Sequence, residues 1–285
     1  MPDILPRVSV PSPDDSATPR RSFLAGLGLA ASASLFAPEH YSAEPLFAAA
    51  QKDAPNRKGP APPSAIAGIK ELLTRKQPVA WVFTGDSVTH GALHTHGWRS
   101  YPELFAERVR WELREQNRVR DIVINTGVSG DRAQSLLSDL DWRVLHLRPD
   151  VVSLMLGLND CSYGPVGHEL FRKDLTAIVN KVRAAGAIPI LNTPNTVYLK
   201  RAPTHGDLPA YAQVVRDVAL ATKAILVDHY SHWESAKPDQ EQLLSWLADE
   251  SIHPGYIGHR QLANLIFQEL GIFDDKSPTC QLAVP

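Results

Sequence analysis

The sequence predicts an α/β fold in which a parallel sheet carries helices on both faces. Two observations carry that expectation. From Ala65 onward, short apolar runs alternate with longer amphipathic stretches, and strands buried on both faces require such continuous apolar runs. Most of these runs end abruptly in a turn of Gly, Asn, Asp or Ser, where an open parallel sheet presents residues to its ligand crevice.

Taken in order, the first run is Val79 to Phe83, ending in Thr84-Gly85-Asp86-Ser87. A loop over Val88 to Ser100 leads to a predicted helix from Tyr101 to Asn117, whose Tyr101, Phe105, Val109 and Leu113 recur every four residues and form one stripe. Ile122 to Ile124 reads as a short buried strand entering Asn125-Thr126-Gly127-Val128-Ser129-Gly130, and a helix follows over Ala133 to Leu147. The third strand, Val151 to Leu156, runs into Gly157-Leu158-Asn159-Asp160, and the next helix covers His168 to Ala185. The fourth strand, Ile188 to Leu191, opens into Asn192 to Asn195 and a long loop before a helix at Leu208 to Thr222. Ile225 to Asp228 is the fifth strand, and helices at Gln240 to Ala248 and Gly255 to Leu270 complete the pattern. Five strand-helix units with right-handed crossovers predict a three-layer α/β/α sandwich with a five-stranded parallel sheet, flavodoxin-like in style.

With 285 residues, 44% hydrophobic and 21% charged, the chain can bury a full core and predicts one domain plus an extension. Residues 1–50 hold three arginines and five acids, so the remainder carries basic and acidic residues in equal number. A neutral domain has no electrostatic footprint for nucleic acid. Two cysteines, Cys161 and Cys280, exclude a disulfide framework but allow one bridge.

The paired Arg20-Arg21 precedes a mildly apolar run from Phe23 to Phe36 and the small triplet Ala48-Ala49-Ala50. The run is too short to span a bilayer. Its parts resemble a twin-arginine export signal over 1–50, which predicts delivery by the twin-arginine export machinery to the periplasm or beyond. Residues 51–64, with Pro55, Pro60, Pro62 and Pro63, read as a linker. The expected domain occupies 65–273, and 274–285 is expected as a tail.

Ser87, in the first turn after a buried strand, is a candidate nucleophile. By itself, Asp86-Ser87 reads equally well as a helix cap. A serine hydroxyl needs a base, and the base needs an orienting group; Glu250-x-x-His253 offers both. Developing oxyanion charge needs donors, which the Ser87 N–H, the Gly130 N–H and the Asn159 side-chain amide can supply. No serine sits in Gly-x-Ser-x-Gly, which argues against a nucleophile elbow.

Gly-Asp-Ser after the first strand, Asn-Thr-Gly-Val-Ser-Gly after the second, Gly-Leu-Asn-Asp after the third and the late His253-Pro254 together resemble the four ordered blocks of the SGNH (GDSL) hydrolase family. The resemblance covers about Ala80 to Gly271. It implies a serine ester hydrolase without a cofactor, with Ser87 as nucleophile, His253 as base, and Gly130 and Asn159 as oxyanion donors beside the Ser87 amide. The family usually has Asp three residues before the histidine, where this chain has Glu250, with Asp249 one position earlier. Either carboxylate can reach the imidazole, and Glu250 is in register for the orienting role.

Asp86, His90 and Asn195 are candidate substrate contacts. His90, His94 and His96 lack the companion carboxylate or helical spacing of a metal site, and no metal is expected. Cys161 and His259 are expected to pack, and Asp228 to be structural. The leading functional expectation is a short-chain acyl esterase, acting on O-acetyl groups of carbohydrate. The alternatives are an acyltransferase with the same residues, a lysophospholipase or thioesterase, and a non-catalytic carbohydrate-binding module. The loop from Asn195 to Pro209 is mainly polar, unlike the apolar length a long acyl chain would need.

Overall fold

The computed structural model describes residues 65–116, 118–248 and 251–281; the expected export signal and linker lie outside the described residues. Five parallel strands, β1 (Ala80–Gly85), β2 (Ile122–Asn125), β3 (Val151–Met155), β4 (Ile188–Asn192) and β5 (Ile225–Val227), form one sheet in the order β2-β1-β3-β4-β5. That is the predicted doubly wound α/β sheet. Its order reverses direction between β1 and β3, the switch point where such sheets open a crevice. The register pairs Phe83 with Asn125, Gly85 with Met155, and Met155 with Asn192, so these carboxyl ends share one edge.

Ten helices flank the sheet among the described residues: α1 (Ala65–Thr74), α2 (Ser87–His90), α3 (Tyr101–Glu107), α4 (Ala133–Arg143), α5 (His168–Ala184), α6 (Leu208–Thr222), α7 (His229–Ser235), α8 (Gln240–Trp246), α9 (Tyr256–Glu269) and α10 (Pro278–Gln281). On one side α5 packs between α4 and α6, and α3 packs on α9. Trp81 and Phe83, two apart on β1, meet Phe105 at ring-centroid distances of 5.0 and 4.9 Å. Both are fully buried, and burying each such side chain stabilises the fold by roughly 1.5–3 kcal/mol.

Several expectations are corrected. The helix expected from Tyr101 to Asn117 keeps α-helical form only to Glu107, then widens into a π turn at Arg108–Glu112. There the buried Arg108 donates to the Ile272 carbonyl at 2.8 Å and pairs with Glu112 at 2.8 Å, contacts that hydropathy periodicity does not encode. Glu112 also accepts from the Thr279 N–H at 2.8 Å, so the expected tail from 274 is part of the packed domain through α10, with Ser277, Thr279 and Cys280 buried. β2 is an edge strand with Ile122 exposed, not the buried strand its composition suggests. α7 is too short to show a period; it starts at Asp228, which caps the Ser231 N–H and binds Arg216 at 2.7 Å.

The start of β1 rests on a buried polar knot. Asp121 accepts from the Val79 N–H at 3.0 Å and the Trp81 indole at 3.1 Å. The fully buried Arg118 lies 3.4 Å from Asp121 and donates to the carbonyls of Leu72 and Gln77 at the end of α1 and beyond. Removing one partner of a buried charged pair strands the other and typically costs ~3–5 kcal/mol. Arg118→Ala is therefore expected to lower the urea-unfolding free energy by about that amount; a loss below about 1 kcal/mol would remove the knot from the account of stability.

Candidate active site

The turn that carries Ser87 depends on a glycine. Gly85 adopts φ +155°, and a Cβ there would stand 2.2 Å from the Met155 carbonyl oxygen and 2.5 Å from Thr89 Oγ1. Only a residue without a side chain lets the tips of β1 and β3 come this close. The chain then turns directly into α2, whose cap is Asp86: Oδ1 accepts from the Val88 N–H at 3.0 Å. Ser87 opens that helix, buried except for its approach to the crevice, and its N–H has no carbonyl one turn back to receive it.

Ser87 Oγ lies 2.9 Å from His253 Nε2, a distance at which the hydroxyl donates to a neutral imidazole. The two residues are 166 positions apart in sequence. The segment carrying His253 is held from several sides. Its own carbonyl accepts from the Ala248 N–H at 2.8 Å, Gly255 donates to the Trp246 carbonyl at 2.8 Å, and Tyr198 donates to the Ser251 carbonyl at 2.7 Å. Asn195 Nδ2 donates to the Ile252 carbonyl at 2.9 Å. The His94 ring lies flat on the His253 ring, with centroids 3.4 Å apart and planes inclined by 7°. Glu250 and Asp249 lie outside the described residues.

The other candidate donors stand on the neighbouring strand tips. The Val128 N–H donates to the Gly85 carbonyl at 3.0 Å, tying the turn after β2 to the turn that carries Ser87. Gly127 closes against α2, where a Cβ would meet the His90 nitrogen at 2.5 Å. Gly130 follows with φ +85°. Asn159, after β3, donates one amide hydrogen to the Asp131 carbonyl at 2.9 Å, and a primary amide has a second hydrogen to offer. Ser87, Gly130 and Asn159 thus belong to one hydrogen-bonded set of turns at the switch point.

Three further candidates take different places. Asn195 is fully buried, donating to Thr196 and Ile252 carbonyls; it braces the histidine segment and does not face the crevice. Asp86 is likewise buried rather than a substrate contact. His90 is exposed, with Nδ1 3.0 Å from Ser129 Oγ. His259 packs as expected, accepting from the Tyr101 N–H at 3.2 Å, and burial pulls its pKa down to about 3. Cys161 and Cys280 are free buried thiols. Among the described residues no cluster of three or more metal-ligating side chains occurs, and no helix is long and apolar enough to cross a membrane. The loop after β4 is less polar in space than in sequence: Val197, Tyr198, Leu199 and Leu208 line a cavity of about 320 Å³, shared with Lys200 and Glu234.

Sequence reasoning named Asp86 but missed that it belongs to a buried acidic group beneath Ser87. Burial pushes the Asp86 carboxyl up to about 7, with Asp160 and Asp131 adding repulsion. Asp160, which accepts from the Ala133 and Gly157 N–H groups at 3.0 and 3.2 Å, is raised by burial to about 6. Arg143 supplies the counter-charge, pairing with Asp131 and donating to the Gly85 carbonyl at 3.3 Å. None of these contacts has a local sequence signal beyond Asp131 and Asp160 lying in the conspicuous turns. His94 was visible only as one of three loop histidines.

Residues 83–261 match the sequence model of the GDSL-like lipase/acylhydrolase family. That is more than half of the chain, which belongs to this family. It is 26% identical over 215 residues to an acetylxylan esterase of Geobacillus stearothermophilus, spanning 67% of this chain and 93% of that protein. Among solved structures, an alpha/beta hydrolase enzyme from the metagenome of Lake Arreo superposes with TM-score 0.59 at 23% identity, over 70% of this chain and 99% of its own. A crystal structure of a Geobacillus stearothermophilus acetylxylan esterase gives 0.53 at 24% identity, over 69% and 95%. These structures share the fold; the family assigns a carboxylic ester hydrolase.

A carboxyl whose pKa is higher folded than unfolded binds its proton more tightly in the native state, so its ionisation removes stability as pH rises between the two values. For Asp86 that window runs from the ordinary 3.8 to about 7, with a loss of at most ~4 kcal/mol. Asp86→Asn keeps a capping oxygen and cannot ionise. Its unfolding free energy is expected to fall less than that of the parent from pH 4 to pH 8; parallel urea-denaturation profiles would refute the shift.

Proposed function

We propose that this esterase removes short acyl groups, O-acetyl groups of carbohydrate in particular, through an acyl-Ser87 intermediate. The observation that carries the mechanism is the 2.9 Å approach of Ser87 Oγ to His253 Nε2. His253 takes the hydroxyl proton as Oγ attacks the ester carbonyl, forming the carbon–oxygen bond of a tetrahedral oxyanion. The Ser87 and Gly130 N–H groups and the second amide hydrogen of Asn159 stabilise that charge. Collapse expels the sugar alkoxide, which takes the proton from His253. Water, deprotonated by the same imidazole, then attacks the acyl-serine and releases acetate. Glu250 is the group we assign to orient His253, at the register of the aspartate replaced in one catalytic mutant of the acetylxylan esterase, three positions before the histidine replaced in another.

The carbohydrate ester is supported by the relative, whose name specifies acetylated xylan. The short acyl group is supported by the same name, which specifies an acetyl ester. The Arg20-Arg21 motif supports an exported enzyme that meets polymer outside the cytoplasm.

Hydrolysis of p-nitrophenyl acetate, with fluorophosphonate labelling, tests the reading. Ser87→Ala is expected to lose labelling and roughly 10^6-fold in kcat. Asn159→Ala is expected to retain labelling and lose about 100- to 1,000-fold. Absence of turnover and labelling in folded parent enzyme would favour a binding module over an esterase.

A further inference from the structure

The loop that follows α2 is strained and oddly furnished. Leu93 and His96 adopt φ +64° and +51°, a left-handed conformation that costs a bulky side chain on the order of 1 kcal/mol or more and persists where surrounding contacts impose it. Two of the loop's ring contacts fall on the histidine segment. His94 stacks on His253, and Trp98 packs on Tyr256 with ring centroids 5.5 Å apart. The loop therefore runs alongside residues 253–256.

Trp98 is nevertheless 48% exposed, and Tyr256 is half-buried. A tryptophan recruited only to pin the loop would gain most by burying both faces. The pair leaves an aromatic surface beside the crevice. Tyr256 follows His253 by three residues, at most ~11 Å of extended chain, and His253 touches Ser87. A mono- or disaccharide bridges that span.

We propose that Trp98, supported by Tyr256, is a stacking shelf for a pyranose ring of the acetylated substrate. The apolar face of C–H groups on such a ring suits the negative face of an indole, and the ring hydroxyls at its edge stay in water. The shelf selects esters by the alcohol they release, while Ser87 and His253 act on the acyl group. This inference rests on the carbohydrate reading given under Proposed function.

The test compares kcat/KM for acetylated xylooligosaccharides and for p-nitrophenyl acetate in the full chain, in Trp98→Ala, Trp98→Phe and Tyr256→Ala. The ratio of the sugar ester to the nitrophenyl ester is expected to fall about tenfold in Trp98→Ala, through a higher KM for the sugar. Trp98→Phe is expected to recover most of the loss, and Tyr256→Ala to show a smaller one. An unchanged ratio in Trp98→Ala overturns the shelf, including when both rates fall together, because that outcome assigns Trp98 to bracing the His94 loop. If the parent enzyme cleaves the nitrophenyl ester and no acetylated sugar, the carbohydrate reading fails and the shelf with it. If it cleaves the sugar and the ratio holds, the shelf fails alone.

Discussion

The close passage of Gly85 beside Met155 is the constraint on which the site depends. A Cβ at Gly85 would lie 2.2 Å from the Met155 carbonyl oxygen, so any side chain would force the β1 and β3 tips apart. The same glycine's carbonyl accepts from the Val128 N–H and from Arg143. One residue thereby locates the turns after β1, β2 and β3 against one another. Ser87, Gly130 and Asn159 inherit their places from it.

The histidine reaches Ser87 by a different route. His253 lies between α8 and α9, beside an isolated antiparallel bridge of Leu247 with Pro254. Its placement comes from converging partners: backbone bonds to Ala248 and Tyr198, the buried Asn195 amide, and the flat His94 ring. Buried amides that bond loop carbonyls hold backbone without occupying the crevice.

Electrostatics beneath Ser87 are balanced rather than neutral. Asp86, Asp131 and Asp160 gather under α2 with Arg143 among them. Burial pushes the Asp86 carboxyl up to about 7, which limits the negative charge beside Ser87 below that pH. A buried carboxyl in that state caps the helix at a cost in stability at higher pH, a cost commonly accepted at functional sites.

The alternation of apolar runs and amphipathic stretches determined the sheet, its five strands and the turns that carry Ser87, Gly130 and Asn159, because strand burial and helix amphipathicity are local periodic properties. Those turns could be read because Gly, Asn and Asp clusters interrupt the periods sharply. Periodicity says nothing about contacts between distant residues. Only tertiary structure decided that Arg108 widens α3 into a π turn, that β2 lies at the edge, and that α10 closes onto Glu112. It also decided that Asn195 and Asp86 are buried and that His94 covers His253. Each of those outcomes depends on side chains brought together from remote segments, where desolvation and hydrogen-bond satisfaction, not local propensity, select the conformation.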